Sequence, residues 1–356
     1  MTVRKGEGAP FSLSQLGWKP FFQQQLDLEE WENATLGRIV SQERSAIIVQ
    51  TPENRMLIQV TMDMPVFSVG DWILLDSSGD SSASFVRLLE RFSLFSRKAA
   101  GEKAHVQLIA SNIDTVFIVS SMNQDFNLNR IERYLALANE TGVEPVIVLT
   151  KSDLCEDCEQ YVDQIKELDP FLISVTVNSL DSESVQKLGE WCVEGRTVAL
   201  LGSSGVGKST LINTLSGESV EDTNAIREDD AKGRHTTTSR TIHFLSSGGL
   251  LLDTPGMREL QLTDCEQGVE ETFSEITALA EQCRFKDCQH ESEPGCAVRA
   301  AIESGDLDER RLANYLKLMK EQEFNSATLA ERRAKDREFG RMVRSVTKSK
   351  KNRRGS

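Results

Sequence analysis

The sequence predicts a multidomain protein with an N-terminal β-barrel, a central doubly wound α/β domain and a mainly helical C-terminal domain. Its 356 residues exceed the roughly 250 at which a single hydrophobic core stops growing. Short β-like runs give way near residue 100 to strands that alternate with helices. A cluster of cysteines and one histidine then interrupts a helical pattern after residue 265.

The composition is typical of a soluble protein, with 39% hydrophobic and 27% charged residues. No apolar run approaches the roughly 20 residues that a membrane span needs, and the first residues do not resemble a secretory signal. Seven cysteines, an odd number, argue against a disulfide framework. We therefore expect a cytoplasmic protein without a membrane partner.

The barrel is expected at residues 33–100, after an N-terminal extension of residues 1–32. The extension has an aromatic, apolar patch that could form an amphipathic helix broken at Pro20. An OB-fold is the leading interpretation of the barrel, because it has five strands and commonly binds nucleic acid. A small SH3-like barrel is the alternative, and periodicity cannot distinguish it from an OB-fold. The five β-like runs are TLGRIV, SAIIVQ, MLIQV, DWILLD and SFVRLL.

The α/β domain is expected at residues 101–265, where apolar strands alternate with helices. The helical domain follows at residues 266–330, and its clearest helix reads LDERRLANYLKLMKEQEF. Residues 331–356 form a basic tail with 11 Lys and Arg against 3 Asp and Glu, in a chain of net charge −14. This tail is interpreted either as an arm for nucleic acid or as a solvated helix with a frayed end.

A phosphate-binding loop is predicted by the stretch GSSGVGKST, which stands between an apolar strand and a helix. Glycines let backbone N–H groups close around the β-phosphate, and the helix N-terminus adds positive potential. Lys208 should reach the β- and γ-phosphates, and Ser209 should ligate Mg²⁺. The nucleotide-binding residues of this loop are Gly202, Ser203, Ser204, Gly205, Val206, Gly207, Lys208, Ser209 and Thr210.

Two further segments fit the γ-phosphate side of the same site. DTPG follows another buried strand, so Asp253 should hold the magnesium shell and Gly256 should sense the γ-phosphate. The segment AKGRHTTTSR, between the phosphate loop and DTPG, should supply a magnesium-binding threonine. Thr237 and Thr238 are both candidates, and spacing cannot choose between them.

A guanine-reading loop is predicted by TKSD, which also ends a strand. The Asp153 carboxylate can accept the paired N–H donors of guanine, which adenine lacks, and the stem of Lys151 can lie on the purine face. Thr150 stands where Asn is usual, which predicts a weaker tie to the phosphate loop. Ser152 completes the loop, and Ser179 in a second strand-end segment could also contact the base.

These motifs occur in an unusual order, because both base loops precede the phosphate loop and the two γ-phosphate segments follow it. A compact domain with neighbouring termini tolerates a change of cut point. We therefore predict a circularly permuted GTPase domain that uses GTP and GDP with Mg²⁺.

Hydrolysis is predicted to be slow without a partner. Met257 follows DTPG, at the place where a Ras-like enzyme carries the glutamine that orients the attacking water. A thioether cannot orient water. His235 is the candidate for that catalytic role beside Lys208, although a solvated loop histidine is the alternative interpretation.

The cysteine cluster predicts one structural Zn²⁺ site. Three thiolates and an imidazole within fourteen residues are the closed tetrahedral set expected of structural zinc. The predicted ligands are Cys283, Cys288, His290 and Cys296. A second pair, Cys155 and Cys158, follows the base loop and is interpreted as solvent-facing and incidental, with a redox pair or second metal site as the alternative.

The chain resembles the RsgA (YjeQ) family of GTPases, which act in the biogenesis of the small ribosomal subunit. The matching segments are TKSD, GSSGVGKST, GRHTTT, DTPG, CRFKDCQH through Cys296, VGDW in the barrel and ASNIDTVFIVSS. The resemblance implies an OB-fold, a permuted GTPase domain and a zinc domain. It also implies GTP hydrolysis stimulated by the small (30S) subunit in late maturation, with contacts to 16S rRNA. We expect a monomer.

Two rival functions share part of this pattern. A permuted GTPase that acts on the large subunit would use the same nucleotide chemistry, but the barrel and the Cys3His cluster argue against it. A nucleotide-gated RNA-binding module without hydrolysis is conceivable because of Met257.

Overall fold

The computed structural model describes residues 11–43, 45–76, 84–98, 106–217, 240–253 and 265–326. The strands are β1 Thr35–Gln42, β2 Ala46–Gln50, β3 Arg55–Gln59, β4 Trp72–Asp76, β5 Ser84–Leu88, β6 Leu94–Lys98, β7 Val106–Ser111, β8 Thr115–Ser121, β9 Glu144–Thr150, β10 Ser174–Thr176, β11 Thr197–Leu201, β12 Arg240–Phe244 and β13 Leu250–Asp253. The helices are α1 Pro20–Gln23, α2 Leu28–Asn33, α3 Leu128–Glu140, α4 Cys158–Leu168, α5 Ser182–Val185, α6 Lys208–Ser216, α7 Glu266–Thr272, α8 Ser274–Ala280, α9 Ala297–Ser304 and α10 Glu309–Ser326.

Two compact units divide the chain. The first contains the described residues up to 96 together with those of 108–253 and 267–272, and the second contains residues 97–98, 106–107, 265–266 and 273–326. None of the helices in the described ranges has the length and hydropathy to span a membrane.

The N-terminal extension packs onto the barrel. Pro20 begins α1 and does not break a longer helix, contrary to the expectation from sequence. The first turn of a helix needs no N–H from its first residue, so proline fits there. Leu16 and Phe22 are fully buried in an apolar cluster with Trp72 of β4.

The five predicted barrel strands are present as β1 to β5. They pair antiparallel in the order β3-β2-β1-β4-β5. An apolar core is formed by Ile39, Ile47, Val49, Ile58, Phe67, Ile73 and Leu75.

Strand β1 also joins the barrel to the α/β sheet. One part of it, from Thr35 to Arg38, pairs with β4, and its last two residues, Ser41 and Gln42, pair with β12. The barrel strands and the α/β strands consequently belong to one 11-stranded sheet.

Within that sheet the α/β strands run in the order β10-β9-β8-β11-β13-β12. The first five are parallel and β12 is antiparallel to β13. Because parallel strands end at the same edge of a sheet, the segments after β8, β9, β11 and β13 converge there. Both faces of the sheet are apolar, as expected of a doubly wound domain.

The second unit is mainly helical in the described residues. Phe273, at the N-terminus of α8, contacts the ring of Tyr315 on α10 at 5.6 Å between centroids. The guanidinium of Arg311 lies over the Phe273 ring at 4.9 Å and pairs with Glu275. The predicted boundary at residue 330 lies outside the described residues.

Arg38 is a buried cation in the first unit, with only 1% of its surface exposed. Its guanidinium donates to the Leu16 carbonyl at 2.7 Å, to the Asn112 carbonyl at 3.2 Å and to Thr197 Oγ1 at 2.8 Å. Burial lowers its pKa to about 10, so it stays protonated at neutral pH. One side chain therefore connects the extension, the barrel and the start of β11.

We expect Arg38→Met to lower the free energy of unfolding by about 3 kcal/mol, because several buried oxygens would lose their donor. Urea unfolding followed by tryptophan fluorescence measures this loss. Arg55→Met, on an exposed position of β3, is the matched control and should change stability by less than about 0.5 kcal/mol. Equal losses in the two variants would contradict the role of Arg38.

Candidate functional site

The phosphate loop connects β11 to α6 and depends on two glycines. Gly202 has φ 152° and lies so close to the neighbouring strand β8 that a Cβ would stand 2.4 Å from the Val119 carbonyl oxygen. Gly207, just before α6, is left-handed with φ 97°. Only glycine combines this backbone conformation with this close approach.

Lys208 opens α6 and is buried inside the loop, with 8% of its surface exposed. Its ammonium donates to the Gly202 carbonyl at 2.7 Å and also bonds the Ser203 carbonyl. Ser209 and Thr210 follow in the first turn of α6, whose N–H groups face the loop. The loop thus has the cation, the hydroxyls and the helix N-terminus that phosphates require.

The base loop is tied directly to the phosphate loop through Thr150. This residue ends β9, is fully buried, and donates its hydroxyl to the Val206 carbonyl at 2.6 Å. The two loops are therefore bonded directly, and the expectation that this tie is weaker than one from asparagine stays a prediction.

The rest of the base loop turns sharply after Thr150. Lys151 is left-handed with φ 62°, and Ser152–Leu154 forms a 3-10 turn that contains Asp153. The second base segment is held by α6, because Thr214 Oγ1 donates to the Ser179 carbonyl at 2.6 Å. The Ser179 hydroxyl is buried and makes no hydrogen bond to the described residues.

The γ-phosphate side of the site is only partly described. Asp253 is the last residue of β13 and pairs with Thr241 of β12 in the sheet. His235, Thr237, Thr238, Gly256 and Met257 lie outside the described residues. The roles of these residues stay predictions.

A contact that the motifs did not predict joins α3 to the phosphate loop. The Ser203 hydroxyl accepts from Arg130 Nη1 at 2.9 Å and donates to Asp125 Oδ2 at 3.0 Å. Both partners lie after β8, the strand adjacent to β11. The strand order is the signal that could have predicted this contact, because neighbouring parallel strands place their following loops side by side.

The predicted metal ligands come together in the second unit. Their four ligand atoms lie within 4.8 Å of one another. Cys283 Sγ is 3.8 Å from Cys296 Sγ and 3.7 Å from His290 Nδ1, and His290 Nδ1 is 3.4 Å from Cys296 Sγ. A tetrahedral ion with Zn–S bonds of about 2.3 Å requires ligand separations of about 3.8 Å, so the residues fit zinc.

The start of α9 prepares this cluster for a cation. Cys296 caps the helix and accepts from the Arg299 N–H at 3.4 Å. Partial burial would raise the pKa of the Cys283 thiol, but the N–H groups of Ala297 and Val298 outweigh it and lower that pKa. This lowering makes the thiolate, the form that binds zinc, easier to form at Cys283.

Cys155 and Cys158 are half-buried, so part of each side chain is open to solvent, and their incidental role stays a prediction. Cys158 Sγ lies 3.9 Å from the Ser152 carbonyl of the base loop. Burial raises the pKa of Cys158, which makes it less reactive than an ordinary thiol.

The strand order and the converging loops define a class of protein. If β11 is counted as the first strand and the count continues from β13 to β8, the order across the α/β sheet is 6-5-4-1-3-2. The observed chain therefore differs from an unpermuted one only in where it is cut. A phosphate loop after the first of these strands and a guanine-type base loop after the fifth make it a circularly permuted P-loop GTPase.

The chain belongs to the RsgA GTPase family. The family model for RsgA GTPase matches residues 88–263. The chain is 57% identical over 344 residues to small ribosomal subunit biogenesis GTPase RsgA 2 of Vibrio parahaemolyticus, covering 97% of this chain and 95% of the relative. It is 47% identical to RsgA of Mesorhizobium japonicum, over 88% of this chain and 91% of that protein.

Two solved structures have the same fold. YjeQ from Thermotoga maritima has a TM-score of 0.60 and 25% identity, covering 81% of this chain and 98% of that one. YloQ, a circularly permuted GTPase, has a TM-score of 0.59 and 22% identity, covering 83% of this chain and 97% of that one.

We expect Thr150→Val to weaken GDP binding about fivefold to tenfold, because the buried Val206 carbonyl would lose its hydrogen bond. Titration with a fluorescent GDP analogue measures the dissociation constant. Thr141→Val is the matched control, since its hydroxyl bonds only the last turn of its own helix. An unchanged dissociation constant in Thr150→Val would show that the tie does not support the nucleotide site.

We expect the purified protein to contain about one zinc per chain, and Cys288→Ser to contain almost none, because a structural site needs all four ligands. Native mass spectrometry and metal analysis measure the content. Cys155→Ser, another half-buried thiol, is the control and should keep its zinc. A full equivalent of zinc in Cys288→Ser would contradict the assignment.

Proposed function

We propose that this protein is a GTPase that binds the small ribosomal subunit and hydrolyses GTP to GDP and phosphate during late subunit maturation. The observation that carries the proposal is the direct hydrogen bond between the base loop and the phosphate loop, from Thr150 Oγ1 to the Val206 carbonyl. It supports one nucleotide site built from motifs that are out of order along the chain. The choice of the small ribosomal subunit as the partner comes from the names of the relatives.

Guanine selectivity rests on Asp153, whose carboxylate accepts the N1–H and N2–H donors of the base. Lys151 covers one face of the purine, and Ser179 lies at the edge of the same pocket. Lys208 leaves its two carbonyl partners to bind the β- and γ-phosphates. These roles follow from where each residue stands relative to the strand ends.

The nucleotide carries Mg²⁺, for which this chain offers the Ser209 hydroxyl, Asp253 and one of Thr237 and Thr238. When bound, the ion neutralises charge on the β- and γ-phosphate oxygens. The position of Ser209 in the first turn of α6 supports this role.

Intrinsic turnover is slow and the small subunit accelerates it. Met257 cannot orient water, so the attacking water depends on another group, and His235 is the candidate in this chain. We expect the subunit to bring His235 to the attacking water. Gly256 senses the γ-phosphate in the adjoining segment.

The outer domains bind 16S rRNA. Barrel residues 33–100 form an OB-fold, which the strand order β3-β2-β1-β4-β5 supports. Residues 101–265 are the GTPase domain, residues 266–330 hold one structural Zn²⁺, and the basic tail of residues 331–356 adds salt-sensitive phosphate contacts. The protein acts in the cytoplasm as a monomer.

We expect isolated small subunits to stimulate multiple-turnover release of phosphate from GTP, with little release from ATP. Lys208→Ala should lower this rate at least about 100-fold, because it removes the cation that stabilises the phosphates. Lys166→Ala, which removes an exposed lysine paired with Asp163 on α4, should not change it.

Separated subunits test the partner. Stimulation by large subunits in place of small ones would contradict the proposed partner. Binding of GTP without multiple turnover would favour a nucleotide-gated RNA-binding module.

A further inference from the structure

Two cations converge on one residue of the phosphate loop. The Lys208 ammonium bonds the Ser203 carbonyl, and Arg130 Nη1 bonds the Ser203 hydroxyl at 2.9 Å. The two positive groups are therefore separated by no more than the span of one residue and two hydrogen bonds. Lys208 is the group expected to meet the β- and γ-phosphates, so Arg130 lies next to the loop that would hold them.

The backbone of Arg130 is fixed by a helix cap, and only one nitrogen of its guanidinium bonds described residues. Asn127 caps α3 and accepts from the Arg130 N–H at 3.0 Å, which sets Arg130 in the first turn of the helix. The side-chain contacts to described residues all use Nη1. Nε and Nη2 make no hydrogen bond to the described part of the chain, so they can donate to a ligand.

The ion pair that holds the Arg130 guanidinium is weak. Arg130 Nη1 is 3.4 Å from Asp125 Oδ1, and the two side chains are 36% and 44% exposed. Ion pairs of this exposure contribute little to stability, so a phosphate of higher charge can replace the carboxylate at low cost. Arginine also matches phosphate oxygens better than a point charge does.

We propose that Arg130 is a catalytic residue of GTP hydrolysis, a cis-acting arginine whose guanidinium leaves Asp125 to contact the γ-phosphate in the transition state. This inference rests on the proposed GTPase function. It adds a positive charge to a site in which Met257 replaces the usual glutamine.

The chemistry needs no further reactant. The oxygen of water bonds to the γ-phosphorus while the bond from that phosphorus to the β–γ bridging oxygen breaks. The proton of the water passes to the released phosphate, and the electron pair of the broken bond stays on GDP. Arg130 stays protonated and donates hydrogen bonds to the γ-phosphate oxygens, where charge accumulates.

The test compares kcat for GTP with the dissociation constant of GDP in four variants. Arg130→Ala should lower kcat about 100-fold and leave the GDP dissociation constant within twofold, because GDP lacks the γ-phosphate. Arg130→Lys should recover part of kcat, because it keeps the charge but loses the fork of donors. Asp125→Asn, which weakens the resting ion pair of Arg130, should stay within about threefold of the wild-type kcat, since the guanidinium remains.

The matched control is Arg196→Ala. Arg196 is also half-exposed and ion-paired, at 2.9 Å from Glu144, but it precedes β11 and so lies at the opposite end of that strand. Its removal should leave kcat within about twofold.

Several outcomes would overturn the inference. An Arg130→Ala kcat equal to that of Arg196→Ala would remove any role in hydrolysis. A weakening of GDP binding as large as the loss of kcat would show a purely structural role. An equal loss in Asp125→Asn would show that the ion pair between Arg130 and Asp125, and not a guanidinium on the phosphate, supports hydrolysis.

The proposed function fails separately. Wild-type protein without GTP turnover, or Lys208→Ala with full turnover, would contradict the GTPase proposal itself. Turnover that depends on Lys208 but not on Arg130 would contradict only the inference about Arg130.

Discussion

The nucleotide site depends on the parallel alignment of β9, β8, β11 and β13, which brings the segments after these strands to one edge of the sheet. This parallel alignment does not depend on the order of the strands along the chain. The phosphate loop can therefore follow the base loop in sequence and still touch it in space, as the Thr150 hydroxyl and the Val206 carbonyl do. A circular permutation changes which strands are connected along the chain, but it leaves the ends of these strands at the same edge of the sheet.

Permutation also changes what adjoins the site along the chain. In the sequence, only residues 254–265 separate β13 from α7, so the segment that is predicted to sense the γ-phosphate is covalently close to the helical unit. α7 in turn packs on α3, where Gly268 donates its N–H to the Glu140 carboxylate at 2.8 Å. A Cβ on Gly268 would stand 2.1 Å from the Ala136 carbonyl oxygen, so this close approach requires glycine. Helix α7, which follows the α/β strands along the chain, is thus held against α3 of the α/β domain.

Much of the fold and the chemistry of the site could be predicted from local pattern. Strand and helix periodicity placed the barrel strands, the α/β strands and α6, and the spacing of glycines identified the phosphate loop. The four metal ligands were also predictable, because they are close in sequence and their atoms need only one loop and one helix start to meet. Pro20 was misread because periodicity does not show which residue begins a helix.

Contacts between distant segments were not predictable from motifs. Arg38 bonds oxygens of the extension and of β11, and β1 pairs with β12, because the barrel and the α/β strands share one sheet. Arg130 likewise resembles any polar residue of a helix in sequence, and only the adjacency of β8 and β11 places it on Ser203. The motifs name the groups that every GTPase of this class needs, whereas strand adjacency determines which further side chains stand next to the phosphates. A nucleotide site that lacks the usual glutamine is where such a neighbour has most effect. In the proposed mechanism, its positive charge acts on the γ-phosphate oxygens in the transition state.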